Sequence, residues 1–216
     1  MLSYLLADYR DEHGIHAETL LNAIGALAGF STQIVVRRGV LEPAGIPVER
    51  ALAVLTGKDG RRYYFGEALN LLLASEEKGT LSLWRFVAAP ACEAGLDIPD
   101  LRPLFREIAA TAGGEEFGIP SMARKRRLRE FPLDALRSHW WAVQSVLERN
   151  EIEPKRWSIV LGTAAQQLIA LVSPLLPPDV GALIVMESAI MMSKVDPREV
   201  PGACRESDSP GASVAA

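Results

Sequence analysis

The sequence predicts a mainly α, bundle-like fold of about seven helices with one small β-hairpin appended. Three observations point there. Apolar residues recur at helical spacing along most of the 216 positions, one short segment has strand composition on both sides of a turn, and most glycines and prolines fall between the periodic runs. With 49% hydrophobic and 23% charged residues the chain can bury a core of its own, which excludes collagen, a coiled-coil rod and wholesale disorder. A formal charge of −4 offers no general attraction to nucleic acid or an anionic membrane, so neither is expected as a partner.

Residues 16–39 place Leu20, Leu21, Ile24, Leu27, Ala28, Ile34 and Val35 on one helical face. Arg37, Arg38 and Gly39 stand where a helix C-terminus is satisfied, so a long helix ending there is predicted. LEPAGIP is a connection. Residues 51–65 read ALAVLT, GKDG, RRYYF: two short runs with β-branched and aromatic residues around a Lys-Asp-Gly turn, hence a hairpin needing a helical surface beneath it. Residues 66–75 and 82–95 are apolar helices, the second kinked or divided at Pro90. Asp100 can cap the next, with Pro103 in its first turn and Gly113 and Gly114 at its end. A Gly/Pro/basic loop runs to about residue 132, and three further helices follow, the last two starting near Pro154 and Pro178. One domain is expected over residues 1–197, with 198–216 a mobile polar tail.

Residues 168–186 match a membrane span in length, nineteen positions with Asp179 the only charge. Pro174, Pro177 and Pro178 interrupt the run and would strand carbonyls in lipid, so two buried helices joined by a proline turn are expected. The N-terminal MLSYLLADYRDEH lacks a preceding basic residue and a small-residue cleavage pattern, and Cys92 and Cys204 are no disulfide framework. A cytoplasmic location is the resulting expectation.

No motif names a reaction, and no cofactor or metal is expected. TGKDG lacks the ending of a phosphate loop, there is no Gly-x-Ser-x-Gly, and Asp11, Glu12, His13 and His16 do not follow a metal-ligand spacing. The informative positions are polar groups in apolar helices: Glu187 within ALIVMESAIMM, and Asn22, Gln33, Asn70, Gln166 and Gln167. They form either a network that sets helix register or dimer geometry, or, with His139, an acid, base or ligand anchor. Trp140 and Trp141 point about 100° apart on one helix, so one of them lines a pocket or an interface. Gly25 and Gly29, one turn apart in GALAG, admit another backbone closely, within the fold or across a dimer axis. Arg124, Lys125, Arg126 and Arg127, with Arg129, make a basic run that is an anion-binding candidate, although it lacks the interleaved aromatics of single-strand binders.

The arrangement of RRYYFGEALN, the Trp84 helix, EFGIPS, the tandem-Trp helix and MESAIMMSKVDP resembles uncharacterised bacterial helical proteins. The resemblance spans nearly all of the chain before the tail, implies a soluble bacterial helical fold, and brings no activity or functional residue with it. The leading expectation is a non-catalytic, homodimeric interaction or regulatory protein. It would hold a small apolar ligand between helices, near Glu187, His139, Trp140, Trp141, Asn22 and Gln166. The dimer would use Gly25, Gly29, Trp140 and Trp141. The alternative is an enzyme whose acid–base group is Glu187 or His139.

Overall fold

The computed structural model describes residues 1–12, 14–121 and 128–204. A short helix, α1 (Leu2–Asp8), and a two-residue ladder of β1 (Arg10–Asp11) with β2 (Gly14–Ile15) lead into α2 (Ala17–Ile34). His16 caps α2, its Nδ1 accepting from the Thr19 backbone N–H at 3.3 Å. Every residue of α2 from Thr19 to Ile34 is buried, so this is an all-round core helix rather than a one-faced one. Its hydroxyls are satisfied internally: Ser31 donates to the Ala28 carbonyl at 2.6 Å and Thr32 to that of Gly29 at 2.7 Å. The helical stretch Ala17–Leu41 contains an 18-residue window apolar enough to cross a membrane, and that window is buried inside the fold.

The predicted stop at Arg37, Arg38 and Gly39 does not occur. The chain continues as a π-helix, Val35–Leu41. A basic C-terminal turn ends a helix where its last carbonyls meet water. Here Val36 and Leu41 are instead packed with Leu52, Tyr64 and Leu69, and Gly39 serves a close approach, a Cβ there falling 3.1 Å from Lys155 Cα.

Three long helices, α7 (Pro132–Arg149), α8 (Trp157–Val172) and α9 (Pro178–Met192), enclose α2, and α5 (Leu83–Glu93) packs on α8 and α9. Pro90 lies inside α5 without dividing it. The short α3 (Val48–Ala51) and α4 (Glu67–Ala74) flank the hairpin, and α6 (Arg102–Thr111) buries only Ile108. The N-cap position of α6 falls to Leu101, which makes no side-chain cap bond; Asp100, expected to cap, stands one residue earlier and accepts from the Arg102 N–H at 2.9 Å in a local turn. The described residues thus hold nine α-helices in a mainly α fold, the expected set enlarged by the short α1 and α3.

The hairpin pairs β3 (Ala53–Thr56) with β4 (Arg62–Phe65) in the register Ala53↔Phe65 to Thr56↔Arg62. β3 is exposed, whereas Tyr63 and Tyr64 are buried. The free edge of β4 is paired as well: Tyr63 bridges Val195, and the Tyr64 N–H donates to the Lys194 carbonyl at 2.9 Å. This third strand-like partner, just beyond α9, supplies the support two strands lack alone. The chain then turns through a 3-10 helix, Pro197–Glu199, and buries Val200 and Ala203. The stretch 198–204, expected to begin a mobile tail, is thus anchored by two buried side chains while Arg198, Pro201, Gly202 and Cys204 stay exposed; 205–216 lie outside the described residues.

Candidate functional site

Glu187 is buried on α9 and its Oε1 accepts from Ser121 twice, from the backbone N–H at 2.5 Å and the hydroxyl at 2.7 Å. A cavity of about 40 Å³ adjoins it, room for water but not for a substrate. Next to it, Ser188 donates to Asn22 Oδ1 at 2.6 Å, and Asn22 Nδ2 donates to the Glu130 carbonyl at 3.0 Å. The Arg129 N–H reaches Thr19 Oγ1 at 3.2 Å. These bonds fasten Ser121 to α9 and residues 129–130 to α2. The basic run Arg124, Lys125, Arg126 and Arg127 between those anchors lies outside the described residues.

His139, also buried, belongs to a different cluster. Its Nδ1 shares a hydrogen bond with the Tyr4 hydroxyl at 2.9 Å, its Nε2 lies 3.7 Å from Asp8, and its ring meets Tyr4 and Tyr9. The Tyr9 hydroxyl donates to the Glu130 carboxylate; burial, then that bond, pushes Tyr9 well above the usual phenol range. Glu187 and His139 thus have separate partners, and no described cavity is lined by both.

The remaining predicted positions also separate. Trp140 is fully buried, edge-on to Phe30 at 4.6 Å, with Nε1 donating to Gln144 at 2.8 Å. Trp141 is 61% exposed and lies over Gly202. Gln166 is half-buried and Gln167 exposed on α8, so neither joins the buried network. Gly25 and Gly29 are consumed within the chain: a Cβ on them would fall 2.4 Å from the Val185 carbonyl oxygen and 2.0 Å from that of Ala189. The predicted dimer contacts therefore lose Gly25, Gly29 and Trp140, which have no surface left to offer, and keep Trp141.

The structure instead assembles a site that the sequence left scattered. A cleft of about 530 Å³ opens between the π-turn, α3, β4 and residues 196–204. Arg37, Arg38, Arg62 and Arg198 line it, together with Tyr64 and Asp196. Arg198 grips the buried Asp196 through Nε at 3.1 Å and Nη2 at 2.6 Å, and the Tyr64 hydroxyl approaches the same carboxylate at 3.4 Å. Burial alone would raise the Asp196 carboxyl; the Arg198 hydrogen bonds, with the Arg198 and Arg37 charges, outweigh it and hold the group below the usual range. Arg38 Nη2 donates to the Ala203 carbonyl. Arg62 reaches the exposed Glu49 at 3.3 Å.

Arg37 differs from these. Its guanidinium carbon sits 4.2 Å from the Tyr64 ring centroid, while Nε and Nη2 are buried and have no hydrogen-bond acceptor. Those two nitrogens form one edge of the guanidinium, whose parallel N–H groups fit the paired oxygens of a carboxylate or phosphate. A buried unpaired charged donor is costly, on the order of 1–3 kcal/mol or more, and a bound anion removes that cost. The groove along α5 and α6 is larger, about 1050 Å³, with Trp84, Phe105 and the exposed Cys92 in its wall, but it contains no such donor among the described residues.

Sequence reasoning missed this site because each part carried a local explanation: Arg37 and Arg38 as a helix end, Arg62 and Tyr64 as strand, Asp196 as the end of the domain and Arg198 as the start of a tail. Local charge pattern carried no common signal: Arg37 has no acid nearer than Glu42, whereas Arg198 lies between Asp196 and Glu199. No protein-family model, curated protein or solved structure matches the chain, so the functional reading rests on the geometry of this cleft.

Proposed function

We propose that this protein binds a small anionic molecule in the arginine-lined cleft and performs no chemistry on it. The observation that carries the reading is the buried Nε–Nη2 edge of Arg37, unpaired in the wall of a 530 Å³ cleft. Two features support it. The volume is that of ordinary small-molecule sites, about 300–1,000 Å³. The residue also sits on a π-turn, a costly conformation found disproportionately at functional positions. In the wall the arginines do not release protons and Asp196 is held ionised by Arg198, while the exposed Cys204 thiol stands at the rim with no histidine among the described lining residues to act as its base. This reading keeps the expected ligand-binding role but moves it from the helical interior to the hairpin end, away from Glu187, His139 and Asn22.

Calorimetric titration with phosphate, pyrophosphate and a series of carboxylates checks it. At least one anion should bind, and Arg37→Met should weaken that anion about tenfold to a hundredfold, the value of a hydrogen-bonded pair of charges. Absence of binding by every anion at millimolar concentration would refute the reading.

A further inference from the structure

We infer that the ligand is an amphiphilic monocarboxylate, its carboxylate forked on Arg37 and its apolar body lying along Leu41, Ile46, Pro47 and Val48. The inference rests on the anion-binding reading above and adds the chemical class. Charge comes first. The four arginines of the lining face Glu42, Glu49 and Asp196, which leaves the cleft with one net positive charge. A carboxylate balances that charge, whereas a phosphate dianion or a diphosphate would place surplus negative charge among those three acids at low dielectric. Geometry agrees. Tyr64 covers one face of the Arg37 guanidinium, so a partner meets the free edge in the guanidinium plane, the approach a flat carboxylate makes with both oxygens. Both nitrogens are buried as the side chain stands, so the carboxylate reaches them by turning the guanidinium within its own plane, which keeps it over Tyr64.

The rest of the wall explains the apolar body. Leu41, Ile46, Pro47 and Val48 come from the π-turn and the chain entering α3, and Ile46 is 42% exposed. An apolar surface opening beside a buried cation favours a ligand with one charged end and one greasy end, since each methylene buried there adds about 0.8 kcal/mol in transfer terms. The cleft is also far roomier than a carboxylate alone requires.

The test titrates the full chain with decanoate below its micellar concentration, using acetate, decanol and inorganic phosphate as controls. Decanoate should bind at least tenfold more tightly than acetate, decanol or phosphate. Arg37→Lys, which keeps a charge but loses the fork, should weaken decanoate at least fivefold and leave decanol unchanged. Ile46→Asp, at an exposed position, should weaken decanoate and spare the headgroup site for acetate. Phosphate binding more tightly than decanoate overturns the monocarboxylate class while the anion site stands. Decanol binding as well as decanoate overturns the role of Arg37 in it. No binding by any of the anions removes the anion reading and this inference together. If Arg37→Lys fails to fold, the decanoate-to-decanol ratio of the parent and the Ile46→Asp result still decide.

Discussion

Lys194 shows what a single residue costs when the fold buries it with no acid paired to it among the described residues. It is buried, its Nζ 5.5 Å from the Phe65 ring centroid, and burial pushes its ammonium down to about 8. Its folded value lies below the unfolded one, so the charge is retained at full cost below about pH 8. That cost is relieved as pH rises from about 8 toward 10.5, where the folded chain has lost a proton that the unfolded chain still holds. Lys194→Met should therefore stabilise the protein at pH 7 by about 3 kcal/mol. The melting difference between parent and variant should shrink as pH climbs through that window, a comparison that cancels the opposing titration of Tyr9 and Tyr63. Glu187 is the converse case, a buried carboxylate with partners. Glu187→Ala leaves both Ser121 donors unpaired and should cost about 2–4 kcal/mol, whereas Glu187→Gln keeps an acceptor and most of the stability. Thermal melts of both variants check this, and an Ala variant melting like the parent would count against a structural role.

At the level of elements, the crossing of α2 with α9 is set by the absence of side chains. Gly25 and Gly29 admit the α9 backbone so closely that a methyl group would overlap the carbonyls of Val185 and Ala189. Gly29→Ala should thus destabilise by more than the 1–3 kcal/mol usual for overpacking, because the obstacle is backbone rather than a movable side chain. Gly181→Ala on α9, which meets only the ends of Leu21 and Ile169 at 3.2 and 3.5 Å, should cost much less. Denaturant midpoints of the two variants measure the contrast. The spacing of the two glycines was legible in the sequence as a close-approach motif, but its partner was not, since residues some 160 positions away supply it. The π-turn was illegible for a related reason. Arg37, Arg38 and Gly39 state a helix end locally, and only the packing of Val36 and Leu41 around Leu52 and Tyr64 overrides them.

For the whole molecule, we propose that copies of the chain pair and that Trp141 is central to the contact, being the member of the predicted interface that remains on the surface. Sedimentation at tens of micromolar should show a dimer that Trp141→Arg dissociates; a monomeric parent would end the proposal. The same exposed ring rests on Gly202 and helps hold down residues 198–204, so the variant should also be screened for its melting point.

Local patterning by itself determined the helical class, the positions of the long helices, the hairpin with its Lys-Asp-Gly turn and the presence of polar groups inside apolar helices. Each follows from contacts between residues a few positions apart, where periodicity, turn chemistry and capping act. What only the tertiary structure decided is which of those polar groups meet. It paired Glu187 with Ser121 and His139 with Tyr4, and it gathered Arg37, Arg62, Tyr64, Asp196 and Arg198 around one cleft. The physical reason is that a site of this kind depends on distances between segments separated by well over a hundred residues. The chain sets those distances only once its core has closed around α2.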